Sequence, residues 1–65
     1  MKAYKVRCTK HTKQWIKIES SDARDAAADY ADEGYANQGD IVTVLGVGRF
    51  EIHELPPQYE ACRIK

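Results

Sequence analysis

The chain has 65 residues, with ten Lys or Arg balanced by ten Asp or Glu, so its formal net charge is zero. That length allows one domain with one thin core, because a domain of this size buries only about 60% of the surface its unfolded chain exposes. An apolar fraction of 43% beside a charged fraction of 31% excludes a disordered chain, and no apolar run nears the roughly 18 residues that span a bilayer.

The opening MKAYKVRCTK has no apolar signal core behind its first charge, which sets the expectation of a cytoplasmic protein. Two cysteines, Cys8 and Cys62, are too few for the dense framework of small secreted scaffolds, and reduced thiols are expected. Charge is unevenly spread. Residues 1–18 carry Lys2, Lys5, Arg7, Lys10, Lys13 and Lys17 with no acid, whereas residues 19–40 carry seven acids against Arg24 alone. Such asymmetry bears on partners and association.

In chain order, Tyr4, Val6 and Cys8 alternate with Lys5, Arg7 and Thr9, the period-two pattern of a half-buried strand. Lys10 to Lys13 form a polar connection, and Ile16 and Ile18 then alternate with Trp15, Lys17 and Glu19 as the second strand of a hairpin. From Ser20 onward the period changes. Ala23, Ala26, Ala27, Tyr30 and Ala31 make one narrow apolar stripe at helical spacing, with Asp22, Asp25, Asp29, Asp32 and Glu33 turned outward. Ser20 or Ser21 is the expected N-cap, and Gly34 the expected stop, with Tyr35 folded back on the sheet edge. An Ala-rich stripe lets the helix lie close to a flat sheet, and Tyr30 is its only large inserted side chain.

Ile41 to Leu45 is β-branched and bounded by glycines, the mark of a buried strand. Gly46-Val47-Gly48 turns the chain into a return strand in which Phe50 and Ile52 alternate with Arg49, Glu51 and His53 until Pro56-Pro57. The tail from Tyr59 to Ile64 alternates weakly and is a candidate fifth edge strand. The fold class is therefore α+β: a β-β-α-β-β chain in which two hairpins share one sheet and one helix lies across one face. The expected core is Tyr4, Val6, Ile16, Ile18, Ala23, Ala27, Tyr30, Ala31, Val42, Val44, Phe50 and Ile52. Strand order stays open, because nothing says which edge of the first hairpin the second one joins.

Chemistry-bearing groups are sparse. Cys8, His11, His53 and Cys62 could supply four soft metal ligands, but His53 and Cys62 are split by eight residues that include two prolines, unlike the close ligand pairs of structural zinc sites. A Cys8–His11 nucleophilic pair would place its thiol on the face the helix covers. The helix carboxylates read as a solvated row. Gly46-Val47-Gly48 opens like a dinucleotide fingerprint, yet Glu51 stands at the third glycine and a strand follows. No enzyme, metal site or cofactor is expected.

The positive signal is the outer face of the first hairpin, where Lys5 and Arg7 lie beside Trp15 and Lys17, an aromatic among cations on an open sheet. Two readings follow: a protein partner held on this face or edge, or a single-stranded nucleic acid stacked on Trp15. If Trp15, Ile41 and Leu45 all project there, a homodimer is expected, unless the tail from Pro56 to Lys65 folds back over the face.

The run Ser21-Asp22-Ala23-Arg24-Asp25-Ala26-Ala27-Ala28-Asp29-Tyr30-Ala31, set between a strand and a hairpin and followed by Pro57, Tyr59 and Ala61, resembles small phage-encoded accessory proteins. The resemblance implies the same β-β-α-β-β layout, and many such proteins have no assigned role. Some phage proteins of this layout inhibit bacterial defence systems such as CRISPR complexes. It carries over no functional residue.

Overall fold

The computed structural model describes residues 2–8, 14–56 and 58–64. Their order is β1 (Lys2–Cys8), β2 (Ile16–Ser20), α1 (Ala23–Asp32), β3 (Ile41–Val44), β4 (Gly48–Leu55) and β5 (Gln58–Ile64). All five strands form one antiparallel sheet in the order β2-β1-β3-β4-β5. The weakly alternating tail is thus the fifth strand, paired along its whole length with β4 from Leu55↔Gln58 to Arg49↔Ile64. This corrects the alternative in which the tail folds back over the open face: residues 58–64 extend the sheet sideways as its edge strand. The polar connection Lys10 to Lys13 lies outside the described residues.

Strand order settles how the hairpins join. β1 pairs with β2 over five residue pairs and with β3 over three, Val6↔Val44, Arg7↔Thr43 and Cys8↔Val42. The sheet is staggered: β1 and β2 run past β3 at one end, and β4 and β5 run past it at the other. A staggered, right-twisting sheet curls, and its concave side wraps α1, which packs against all five strands.

The helix begins at Asp22, in place of the expected serines. Its extended backbone and a carboxylate that accepts the Asp25 N–H at 2.8 Å make it the N-cap, an interaction of about 1 kcal/mol. Ser21 bonds the Asp25 carboxylate instead, at 2.7 Å, and Ser20 ends β2 as a buried residue. After Glu33, Gly34 takes φ +95°, a conformation that L side chains rarely adopt, and stops the helix where its sequence position suggested. Tyr35 turns back to stack on Tyr30, with ring centroids 5.1 Å apart, and lies beside the β2 edge.

Between sheet and helix lie Val6, Val42, Val44, Phe50, Ile52, Ala27, Tyr30 and Ala31 as expected, together with Cys8, Ala26, Ala36 and Ala61. Tyr4, Ile16, Ile18 and Ala23 are only half-buried against this cluster. Tyr30 is fully buried, and its hydroxyl accepts the Cys8 N–H at 2.9 Å. Cys8 lies beyond the last β1 residue with a β2 partner, so the helix supplies the partner that the ladder does not. Burial pushes the Tyr30 phenol above its ordinary pKa. The loop back to the sheet is held by Asp40, which is buried and accepts the Asn37 N–H at 2.9 Å. Among the described residues, no helix is long and apolar enough to cross a membrane.

Candidate binding face

Strand alternation puts Val6, Val42, Val44, Phe50 and Ile52 under the helix and sends their neighbours to the convex outer face. Lys5 and Lys17 are direct cross-strand partners there, both exposed. Like charges directly opposed cost stability, so this pair is a feature the fold alone does not call for. Trp15, just before β2, stacks on Arg7, whose guanidinium carbon is 4.5 Å from the ring centroid. The register carries the row onward from Arg7 to Thr43, Arg49 and Ile64 on β3, β4 and β5.

All four expected residues, Lys5, Arg7, Trp15 and Lys17, therefore meet on one patch, and Arg49 joins them from the second hairpin. Among the described residues, no carboxylate lies within ion-pair distance of Lys5, Arg7, Lys17 or Arg49. The Arg7 Nε is buried in the stack and has no hydrogen-bond acceptor there. Arg49 was missed because its place beside Arg7 depends on the β1–β3 junction; its outward alternation in the return strand was the one available signal.

The far side of the same face has the opposite sign. Glu51 sits beside Ile41 and Cys62, its carboxylate 3.0 Å from His53 Nε2, and His53 faces Glu60 across the β4–β5 ladder. Glu60 also meets Arg24, which reaches round the β5 edge from α1 at 3.4 Å. Apolar groups punctuate both halves. Trp15, Ile41 and Ile64 are half-buried, while Leu45 and Leu55 are about half exposed. Leu45 is tied beside Lys5 by its N–H, which donates to the Lys5 carbonyl at 2.9 Å. The three residues expected on the open face, Trp15, Ile41 and Leu45, are all found there.

The remaining candidates are scattered. Cys8 is buried under the helix and Cys62 is exposed on the opposite face, so the two free thiols are separated by the sheet itself. His53 shares the outer face with Cys62, and His11 lies outside the described residues. Gly46-Val47-Gly48 belongs to a tight β3–β4 hairpin, closed by the Val47 N–H on the Val44 carbonyl at 3.0 Å. Gly46, at φ +80°, makes that turn.

The outer face is thus a convex sheet with an aromatic-cation stack, a basic half and an acidic half. No protein-family model, no curated protein and no solved structure matches the chain.

Proposed function

We propose that the chain is a small non-enzymatic interaction domain that presents its outer sheet face to a protein partner. The observation that carries this reading is the division of the face into an unneutralised basic half around Lys5, Arg7, Trp15, Lys17 and Arg49 and an acidic half around Glu51 and Glu60. A protein surface can match both signs and cover Trp15, Ile41 and Leu45 at once. A continuous polyanion would match only half of it. The likeness of the helix run to small phage-encoded accessory proteins supports a phage origin, and with it a target in the bacterial cytoplasm such as a component of a defence complex.

The test is capture from a bacterial lysate with the native chain and with Lys5→Glu/Lys17→Glu. A partner retained by the native protein and lost from the variant is expected; one held equally by both would remove the face from the interaction. Self-association belongs to the same test. A homodimer would set this face against a second copy about a two-fold axis, and sedimentation at tens of micromolar reads it directly.

A second reading, single-stranded nucleic acid on the same patch, is favoured by the Trp15 ring among four cations. In that case Trp15 fluorescence changes on adding single-stranded DNA or RNA at low salt, affinity falls steeply with salt, and Trp15→Ala costs about 1–3 kcal/mol of binding. Unchanged fluorescence at low salt removes this reading and leaves the protein partner.

A further inference from the structure

The outer face is not the only surface built for contact. β2 is an edge strand with β1 as its single neighbour, so alternate backbone N–H and C=O groups along Ile16–Ser20 point outward. Among the described residues, no backbone hydrogen bond from turns or loops reaches that edge. Beside it, between β2 and α1, runs an open groove of about 400 Å³. Its floor is apolar: Ile16 and Ile18 are half-buried, and Tyr35 is 40% exposed. Its wall is acidic: Asp29, Asp32 and Glu33 project from the last turns of the helix, and none has an ion-pair partner among the described residues.

The opposite edge differs. There α1 is tied to β5 by the Arg24–Glu60 bridge at 3.4 Å, so a cation of the chain itself already occupies the acidic groove. The β2 groove has the same acidic wall, and its one lining cation, Lys17 on β2, makes no ion pair with that wall.

We propose that the β2 edge accepts an extended segment of a partner protein by strand addition, with Lys or Arg at alternate positions. Strand addition uses the free backbone groups for affinity and alternate side chains for specificity. In an added antiparallel strand, every second side chain points to the concave side and enters the groove. A long cationic side chain fits both of its parts, with its methylene stem on Ile16, Ile18 and Tyr35 and its charge among Asp29, Asp32 and Glu33. An apolar side chain would leave the carboxylates unmatched, and an acidic one would be repelled.

The probe is a capped heptapeptide alternating lysine and threonine, titrated into the isotope-labelled full chain. Shift changes confined to Ile16–Ser20 and residues 29–35 are expected, with slowed hydrogen exchange at edge amides of β2. The same peptide N-methylated at its edge-facing amides is expected to lose binding, because methylation removes the donors and leaves the charge. Asp32→Lys/Glu33→Lys, at exposed helix positions, is expected to weaken binding about tenfold while circular dichroism stays unchanged. Equal binding of the methylated peptide would reduce the effect to bulk charge attraction and overturn strand addition. Shifts centred on Trp15 and Arg7, or none at millimolar peptide, would overturn the site.

Discussion

Replacing Tyr30 with alanine is expected to remove about a third or more of the domain's stability. A 65-residue domain has a total stability of about 3–10 kcal/mol, and truncating a fully buried aromatic side chain costs about 3–5 kcal/mol. Tyr30 is the largest fully buried side chain and the only large one on the buried stripe of α1, where Ala26, Ala27 and Ala31 are too small to close over the gap. Tyr30→Phe separates ring from hydroxyl. It keeps the packing but leaves the buried Cys8 N–H without its acceptor, a loss of about 1–3 kcal/mol.

The hydroxyl also sets an alkaline limit. Burial raises the folded phenol above its ordinary value of 10.0, so folded and unfolded chains are equally protonated below that pH and Tyr30 contributes its full stabilisation there. Above it, the unfolded chain releases the proton while the folded one keeps it, and stability falls as pH rises. Urea titrations at neutral and strongly alkaline pH should therefore show a steeper alkaline loss in the native chain than in Tyr30→Phe. An alanine variant with the native urea midpoint would refute the central role given to this side chain.

Ile52→Ala is the second large effect, expected to cost about 2–5 kcal/mol. Ile52 is fully buried on β4, and its cross-strand partner is Ala61, too small to fill the space a truncation would open. The main chain at Ile52 also holds the end of the α1–β3 loop: its carbonyl accepts the Gly39 N–H at 2.7 Å and its N–H donates to the Asp40 carbonyl at 2.9 Å. Those bonds survive the substitution, so the loss measures packing alone. Leu55→Ala, on the same strand but half exposed, is the comparison and should stay within about 0.5 kcal/mol of the native chain. Equal urea midpoints for the two variants would mean that the concave face is not the core.

Much of this was legible from alternation. Val6, Val42, Val44, Phe50 and Ile52 announce the concave face by period two, and Ala27, Tyr30 and Ala31 announce the covering helix by period 3.6. The grouping of Lys5, Arg7, Trp15 and Lys17 on the outer face was legible too, because they belong to a single hairpin whose register is local. Arg49 and the β2 groove were not. Both depend on β3 joining the β1 side of that hairpin, a non-local pairing without a motif. The helix cap misled for a different reason: Ser20, Ser21 and Asp22 are all competent caps, but Ser20 is buried at the end of β2 and Ser21 gives its hydroxyl to the Asp25 carboxylate, which leaves the cap to Asp22. Ala36 and Ala61 escaped notice because a small side chain carries little apolar signal even where it is fully enclosed.

The three-pair junction between β1 and β3 has a consequence for assembly. On either side of it stand units closed by their own short connections, a two-stranded hairpin and a three-stranded meander, and this is the sheet's shortest ladder. Opening it exposes two matching edges, and a second opened copy offers the same two. The pairing that completes one sheet is thus also the pairing by which two chains would trade their N-terminal hairpins. What opposes the trade is α1 acting as a clasp, fastened to β1 by the Tyr30 hydroxyl and to β5 by Arg24.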